Sequence, residues 1–214
     1  MEGYQRAFFE FAIECGVLKF GQFTLKSGRN SPYFFNAGLF NSGEQLRRLG
    51  GFYAAALVRA GVPFDMLFGP AYKGIPLVAA TAIALAGEHG RDLPFAFDRK
   101  EAKDHGEGGV IVGAPLAGRV VVVDDVISSG LSVEHSARLI GAAGATLAGV
   151  VVALDRQERG NGERSAVAEV RDRHGVPVIA VARVRELVHY LENEAKDTVN
   201  ASAIRAYRTR YGAE

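Results

Sequence analysis

Apolar positions along the chain recur in two rhythms, helical spacing and short continuous runs, and the two alternate. Phe8, Phe11 and Ala12 share one helical face, predicting an amphipathic helix over residues 3 to 15. Phe23 and Leu25, then Tyr33 to Phe35, flank Lys26-Ser-Gly-Arg-Asn and predict a hairpin-like pair. These first 40 or so residues are expected to form a hood over one end of the core. A helix is predicted over residues 44 to 60. A buried strand, Phe64 to Phe68, then ends at Gly69-Pro70-Ala71-Tyr72-Lys73-Gly74, and a further helix runs to Glu88. Phe95 to Phe97 read as a strand. The charged, glycine-rich stretch from Asp98 to Gly118 has no sustained period and predicts a long loop, whose length suggests function or mobility.

Further on, Val120 to Val123 predict a strand covered on both faces, followed by a helix carrying Val133, Ala137, Ile140 and Gly141. Thr146 to Leu154 predict another strand, ending at Asp155-Arg156, with a polar break at Gly160-Asn-Gly162. Residues 164 to 174 suit a helix, Val178 to Val181 a strand, and residues 184 to 193 and 198 to 210 two closing helices. Such alternation implies an α/β fold, a mostly parallel central sheet with helices on both faces, within one domain over residues 1 to 214. Ligands of such sheets sit beyond the C-terminal strand ends. Gly69 to Lys73, Asp124 to Ser132 and Asp155-Arg156 all fall there.

Composition narrows the partners. With 25 Lys and Arg against 24 Asp and Glu, the net charge is +1, which gives no global attraction to nucleic acid or membrane. An anion site must therefore be built locally. The N-terminal residues lack a basic segment and a long apolar stretch, and no run of eighteen apolar residues occurs, so a cytoplasmic location is expected. Cys15 stands alone among apolar helical neighbours and reads as a packed thiol. His89, His135, His174 and His189 have no metal-ligand spacing and read as surface or structural residues.

The run Val120-Val-Val-Val-Asp124-Asp125-Val126-Ile127-Ser128-Ser129-Gly130-Leu131-Ser132 carries the most chemistry. A buried strand would deliver two adjacent carboxylates to a small-hydroxyl turn that opens a helix. The helix N-terminus offers free amides to an anion, Gly130 permits close approach, and the serine hydroxyls add donors. One phosphate plus one polyol or metal would satisfy both halves. Asp124-Asp125 alone would better suit an acidic strand end before a helix cap, and the full thirteen-residue pattern reverses that preference.

This stretch resembles the signature of the type I phosphoribosyltransferases. Two further segments, Phe23-Thr-Leu-Lys26-Ser-Gly-Arg29-Asn-Ser-Pro32-Tyr-Phe34-Phe35-Asn36 and Arg99-Lys100-Glu-Ala-Lys103-Asp-His105-Gly-Glu-Gly, are similar to the orotate phosphoribosyltransferase branch. The resemblance runs from the first helix to about Arg156. It implies transfer of a phosphoribosyl group from phosphoribosyl pyrophosphate to orotate, giving orotidine 5-phosphate in pyrimidine (UMP) synthesis. By that resemblance Asp124 and Asp125 hold the ribose hydroxyls, Val126 to Ser132 hold the 5-phosphate, and Tyr72 and Lys73 meet pyrophosphate. Arg99, Lys100, Lys103 and His105 belong to a mobile catalytic loop, approximately residues 99 to 118, with Lys103 the main catalytic cation. Lys26, which also counts among the cosubstrate contacts, joins the Phe34-Phe35 backbone, Ser128 and Arg156 around orotate.

In family members the loop enters the neighbouring subunit's site, so a homodimer with shared sites is implied. Magnesium is the implied cofactor, held mainly through substrate phosphates and with no dedicated protein cage. Read without the resemblance, Lys73 also suits a surface turn, residues 99 to 105 a solvated charged loop, and Phe34 and Phe35 core positions. Family members commonly have Thr-Ala-Gly-Thr where this chain has Ser128-Ser129-Gly130-Leu131. One hydroxyl is thus lost at Leu131 and one gained at Ser129. The rival readings are a transferase for another base and a non-catalytic sensor of phosphoribosyl pyrophosphate. The absence of a basic helix with interleaved aromatics argues against the sensor.

Overall fold

The computed structural model describes residues 1–25, 27–103, 109–160 and 162–213, with the backbone alone at residues 102 and 103. Helix α1 (Gly3–Glu14) leads into the antiparallel pair β1 (Leu18–Thr24) and β2 (Asn30–Phe35), which forms a separate two-stranded sheet. Then follow α2 (Gly43–Ala60), β3 (Met66–Gly69), α3 (Gly74–His89), β4 (Phe95–Lys103), β5 (Gly109–Gly113) and β6 (Arg119–Asp124). The chain ends with α4 (Leu131–Ala142), β7 (Thr146–Asp155), α5 (Ala166–His174), β8 (Val178–Arg183), α6 (Val184–Asn193) and α7 (Thr198–Tyr211). The six-stranded sheet has the order β5-β4-β3-β6-β7-β8 and is parallel except for the edge strand β5.

Alternation within each strand divides the core into two layers. Leu67, Val121, Val123, Val151 and Val181 face the layer filled by α1, α2, α3, α6 and α7. Their neighbours Met66, Phe68, Val120, Val122, Val150 and Val152 face α4 and α5 through Val133, Ile140, Val167 and Val170. Every valine from Val120 to Val123 is 0% exposed, which explains why β6 shows no polar alternation. Cys15 caps α1, half-buried, and accepts a weak contact from Gln45 Nε2 at 3.5 Å.

One expected element differs. The long loop predicted from Asp98 to Gly118 is largely a hairpin: β4 continues to Lys103 and pairs with β5, with Asp98 opposite Ile111 and Lys103 opposite Gly109. Pairing with β3 stops at Phe97, so the second half of β4 extends beyond the sheet's C-terminal edge. Its charges hid this strand from a periodicity reading, and Lys100 and Glu101 are exposed rather than packed in the core. Residues 104 to 108, His105 among them, lie outside the described residues, as does Lys26.

Candidate active site

The strand order reverses direction between β3 and β6, the crevice where open α/β sheets bind ligands. Both strands deliver charge there. Lys73, at the N-cap of α3, places Nζ 2.6 Å from Asp125 Oδ2. A methyl group on Gly69 would run into the Gly74 carbonyl, so glycine permits the tight turn that brings Lys73 back over the strand end. Tyr53, fully buried on α2, donates its hydroxyl to the Asp124 carbonyl at 2.8 Å and anchors the end of β6 from below.

Each carboxylate is already oriented. Asp124 accepts the Asp125 amide and the Ser132 hydroxyl, both at 2.8 Å, while Asp125 accepts the Val126 amide at 2.9 Å as well as Lys73. Carboxylate oxygens have lone pairs to spare, so this order leaves acceptors for a ligand's hydroxyls. Both acids are 7% exposed. Burial, opposed by the Ser132 hydrogen bond and reinforced by the Asp125 charge, pushes the Asp124 pKa up to about 6. Beyond them Gly130, left-handed with φ 75°, is the N-cap of α4, and no side chain caps the helix amides. That open N-terminus, with Leu131 exposed beside it, offers amides to which an anion could bind. Ser132 differs from the expected phosphate donor in that its proton is directed to Asp124.

The projecting hairpin is tied to this crevice through Asp98, a residue that the sequence reading passed over. Its buried carboxylate accepts the Ala71 amide at 2.5 Å and lies 3.0 Å from His135 Nε2 on α4. One acid therefore links the turn before α3, the root of the hairpin and α4. The signal was available: Phe95 to Phe97 end in an acid as Val120 to Val123 do. On the outside, Lys100 Nζ sits 4.8 Å from the centroid of the exposed Tyr72 ring, bringing two of the expected pyrophosphate contacts together. Arg99 shares the same strand.

A second cluster lies past the end of β7. Arg156 stacks over the buried Tyr33 ring, 4.5 Å from its centroid, and donates from Nη2 to Ser31 Oγ at 3.3 Å. Glu158 Oε1 receives Arg156 Nε at 2.8 Å and lies 2.6 Å from Nη2. Burial works against the guanidinium's charge, but Tyr33 and Glu158 outweigh it and raise the Arg156 pKa. Phe34 is exposed and stacks on Phe23 at 5.5 Å, whereas Phe35 turns inward against Phe8 at 6.2 Å. Adjacent aromatics thus take opposite faces of β2.

The model of the phosphoribosyl transferase domain family matches residues 41–182. Over 212 residues the chain is 59% identical to the orotate phosphoribosyltransferase of Edwardsiella ictaluri, covering 99% of this chain and 100% of that one. It belongs to the orotate phosphoribosyltransferase family. The family enzyme of Pseudomonas aeruginosa is 58% identical over 212 residues, with 99% and 100% coverage. The crystal structure of the Francisella tularensis orotate phosphoribosyltransferase superposes with a TM-score of 0.88 at 44% identity, covering 97% of this chain and 100% of that one. Within the family match, residues 41–182 hold the crevice, the hairpin and Arg156, whereas Ser31 and Tyr33 come from outside it.

Proposed function

We propose that this phosphoribosyltransferase moves the 5-phosphoribosyl group of phosphoribosyl pyrophosphate to orotate, yielding orotidine 5-phosphate and pyrophosphate for pyrimidine synthesis. The observation that carries the reading is the juxtaposition at the sheet's switch point. There, two oriented carboxylates, a cation and an uncapped helix N-terminus converge. A phosphorylated sugar needs that combination: acceptors for its hydroxyls, amides for its phosphate, and positive charge for a leaving group.

In this reading Asp124 and Asp125 hold the ribose hydroxyls, with Val126, Ile127, Ser128, Ser129, Gly130, Leu131 and Ser132 around the 5-phosphate. Lys73, Tyr72, Arg99 and Lys100 take the pyrophosphate. As the bond from ribose C1 to pyrophosphate oxygen breaks and a bond to an orotate ring nitrogen forms, negative charge grows on the leaving group. Lys103, with His105, supplies the cation that meets it. Arg156 binds the orotate carboxylate, because a guanidinium fork can donate two parallel hydrogen bonds to it. Lys26, Ser128 and the Phe34-Phe35 backbone complete the orotate contacts.

The donor set at the strand end fits magnesium. Two hard carboxylates stand in a buried place where Lys73 is the paired cation, and a further positive charge would favour the ionised form of Asp124. Substrate oxygens would supply most of its ligands, Asp124 and Asp125 would meet it through its bound water, and it would neutralise charge on the pyrophosphate. The projecting β4–β5 hairpin suits a loop that reaches a partner subunit, so the proposal includes a homodimer with shared sites, working in the cytoplasm. No helix among the described residues is long and apolar enough to cross a membrane.

The test is loss of orotate absorbance on mixing purified protein with phosphoribosyl pyrophosphate and magnesium, with uracil, adenine and hypoxanthine as controls. Turnover of orotate alone is expected. Preference for a control base would overturn the acceptor assignment, and inactivity on all four would favour a sensor.

A further inference from the structure

Glu158 receives hydrogen bonds from three different side chains. Oε1 accepts Arg156 Nε at 2.8 Å and the Tyr33 hydroxyl at 3.2 Å, and Oε2 accepts the Tyr207 hydroxyl at 3.1 Å. Arg29 Nη1 lies 3.7 Å from Oε2. The side chain is 11% exposed. Its backbone is held as well: Glu158 forms an isolated bridge to Gly212, and the Arg159 amide donates to the Tyr211 carbonyl at 2.9 Å. Three separate stretches, β2, the segment after β7 and the end of α7, therefore converge on one carboxylate.

The consequence lies in which edge of Arg156 this carboxylate occupies. Glu158 takes the edge formed by Nε and Nη2. On the outer edge Nη2 also donates to Ser31 Oγ, at a long 3.3 Å, so a planar anion would be met by Nη1 and would take the place of Ser31 at Nη2. Two guanidinium groups, Arg29 and Arg156, face one carboxylate, so the cluster keeps a net positive charge despite the pairing. A free arginine side chain must give up much rotamer freedom when a ligand orders it. Here that ordering is done in advance.

We infer that Glu158 is a positioning residue for the acceptor: by clamping the inner edge of Arg156 it presents the outer edge to the orotate carboxylate, and Tyr207 on α7 braces the clamp. The inference rests on the assignment of Arg156 to orotate made above. It adds a role for the C-terminal helix, which lies outside the matched family segment of residues 41–182.

Steady-state kinetics on Glu158→Gln, Arg156→Ala and the double variant test it. Glu158→Gln is expected to raise the orotate KM about tenfold, with kcat and the phosphoribosyl pyrophosphate KM within about twofold, as loss of one charged hydrogen bond would. The double variant should be no worse for orotate than Arg156→Ala, since a clamp with nothing to hold has no effect. Effects that multiply would overturn the inference, as would an unchanged orotate KM in Glu158→Gln. Tyr207→Phe keeps the test open should Glu158→Gln not fold. It should raise the orotate KM about two- to threefold in the otherwise native protein and not at all beside Arg156→Ala. If Arg156→Ala itself leaves the orotate KM unchanged, the assignment of Arg156 fails first, and the role of Glu158 with it.

Discussion

The two halves of the site are built by opposite strategies. The anion crevice is nearly contiguous: Asp124 to Ser132 supply two carboxylates, a glycine turn and a helix N-terminus within nine residues, and Lys73 is the main long-range addition. The Arg156 cluster is assembled from Arg29, Ser31, Tyr33, Arg156, Glu158 and Tyr207. In the crevice, like charges are crowded together and one is pushed toward protonation. In the Arg156 cluster two guanidinium groups share one carboxylate before any ligand arrives, whereas in the crevice Asp125 has Lys73 as its paired cation. A crevice of that kind stores electrostatic tension that a cationic ligand relieves, whereas a paired cluster offers geometry at little electrostatic cost.

The strongest way to break the comparison is Asp124→Asn with Asp125→Asn. If both acids hold ribose hydroxyls, losing two charge-assisted contacts should lower kcat/KM about a thousandfold or more. Calorimetry should show phosphoribosyl pyrophosphate binding lost while the fold persists. Unchanged binding would remove the carboxylates from the site.

Next in size is Lys103→Ala, which should lower turnover about a hundredfold if its ammonium meets charge developing on pyrophosphate. The same variant tests the shared site. Mixed with Asp125→Asn, it should yield heterodimers with one doubly damaged site and one intact site, so that after random exchange about a quarter of all sites recover. No recovery, with exchange established by mass spectrometry, would confine each site to one chain.

Arg156→Ala sharpens the contrast from the other side. Its orotate KM should rise about 10- to 100-fold, with the phosphoribosyl pyrophosphate KM nearly unchanged. A rise no larger than that from Arg159→Ala would displace Arg156 from the carboxylate.

The smallest effect is on stability against pH. Because burial raises the Asp124 pKa from 3.8 to about 6, the native state holds its proton more tightly than the unfolded chain. The associated stability is fully present below pH 3.8 and is lost as pH rises through 6. Asp124→Asn removes the charge, so it should raise Tm by about 2–8 °C at pH 8 and about half as much at pH 5. Equal shifts at both pH values would show that the charge is not strained. In the native enzyme, protonation as pH falls through 6 should raise the phosphoribosyl pyrophosphate KM.

Element by element, the alternation of strands and helices was legible because each buried run carries its signal locally. Val120 to Val123 need both faces covered, and Phe8, Phe11 and Ala12 repeat at helical spacing whatever they pack against. The carboxylate pair and its glycine turn were legible for the same reason. The second half of β4 was not, since its pairing with β5 is backbone hydrogen bonding under charged side chains that a hydrophobic pattern cannot register. Asp98 and Tyr53 were also missed, although Asp98 had the same position at a strand end as Asp124.

What the chain's pattern determined, then, is the elements other than β5 and the second half of β4, and the crevice chemistry carried between β6 and α4, because those interactions are closed within a few residues. What only the tertiary structure decided is partnership across distance: Lys73 with Asp125, Asp98 with Ala71 and His135, and Glu158 with Tyr33 and Tyr207. A charged side chain states its sign in the sequence. Which buried group will share its lone pairs depends on how segments 27 to 125 residues apart are brought together by the packing of the sheet.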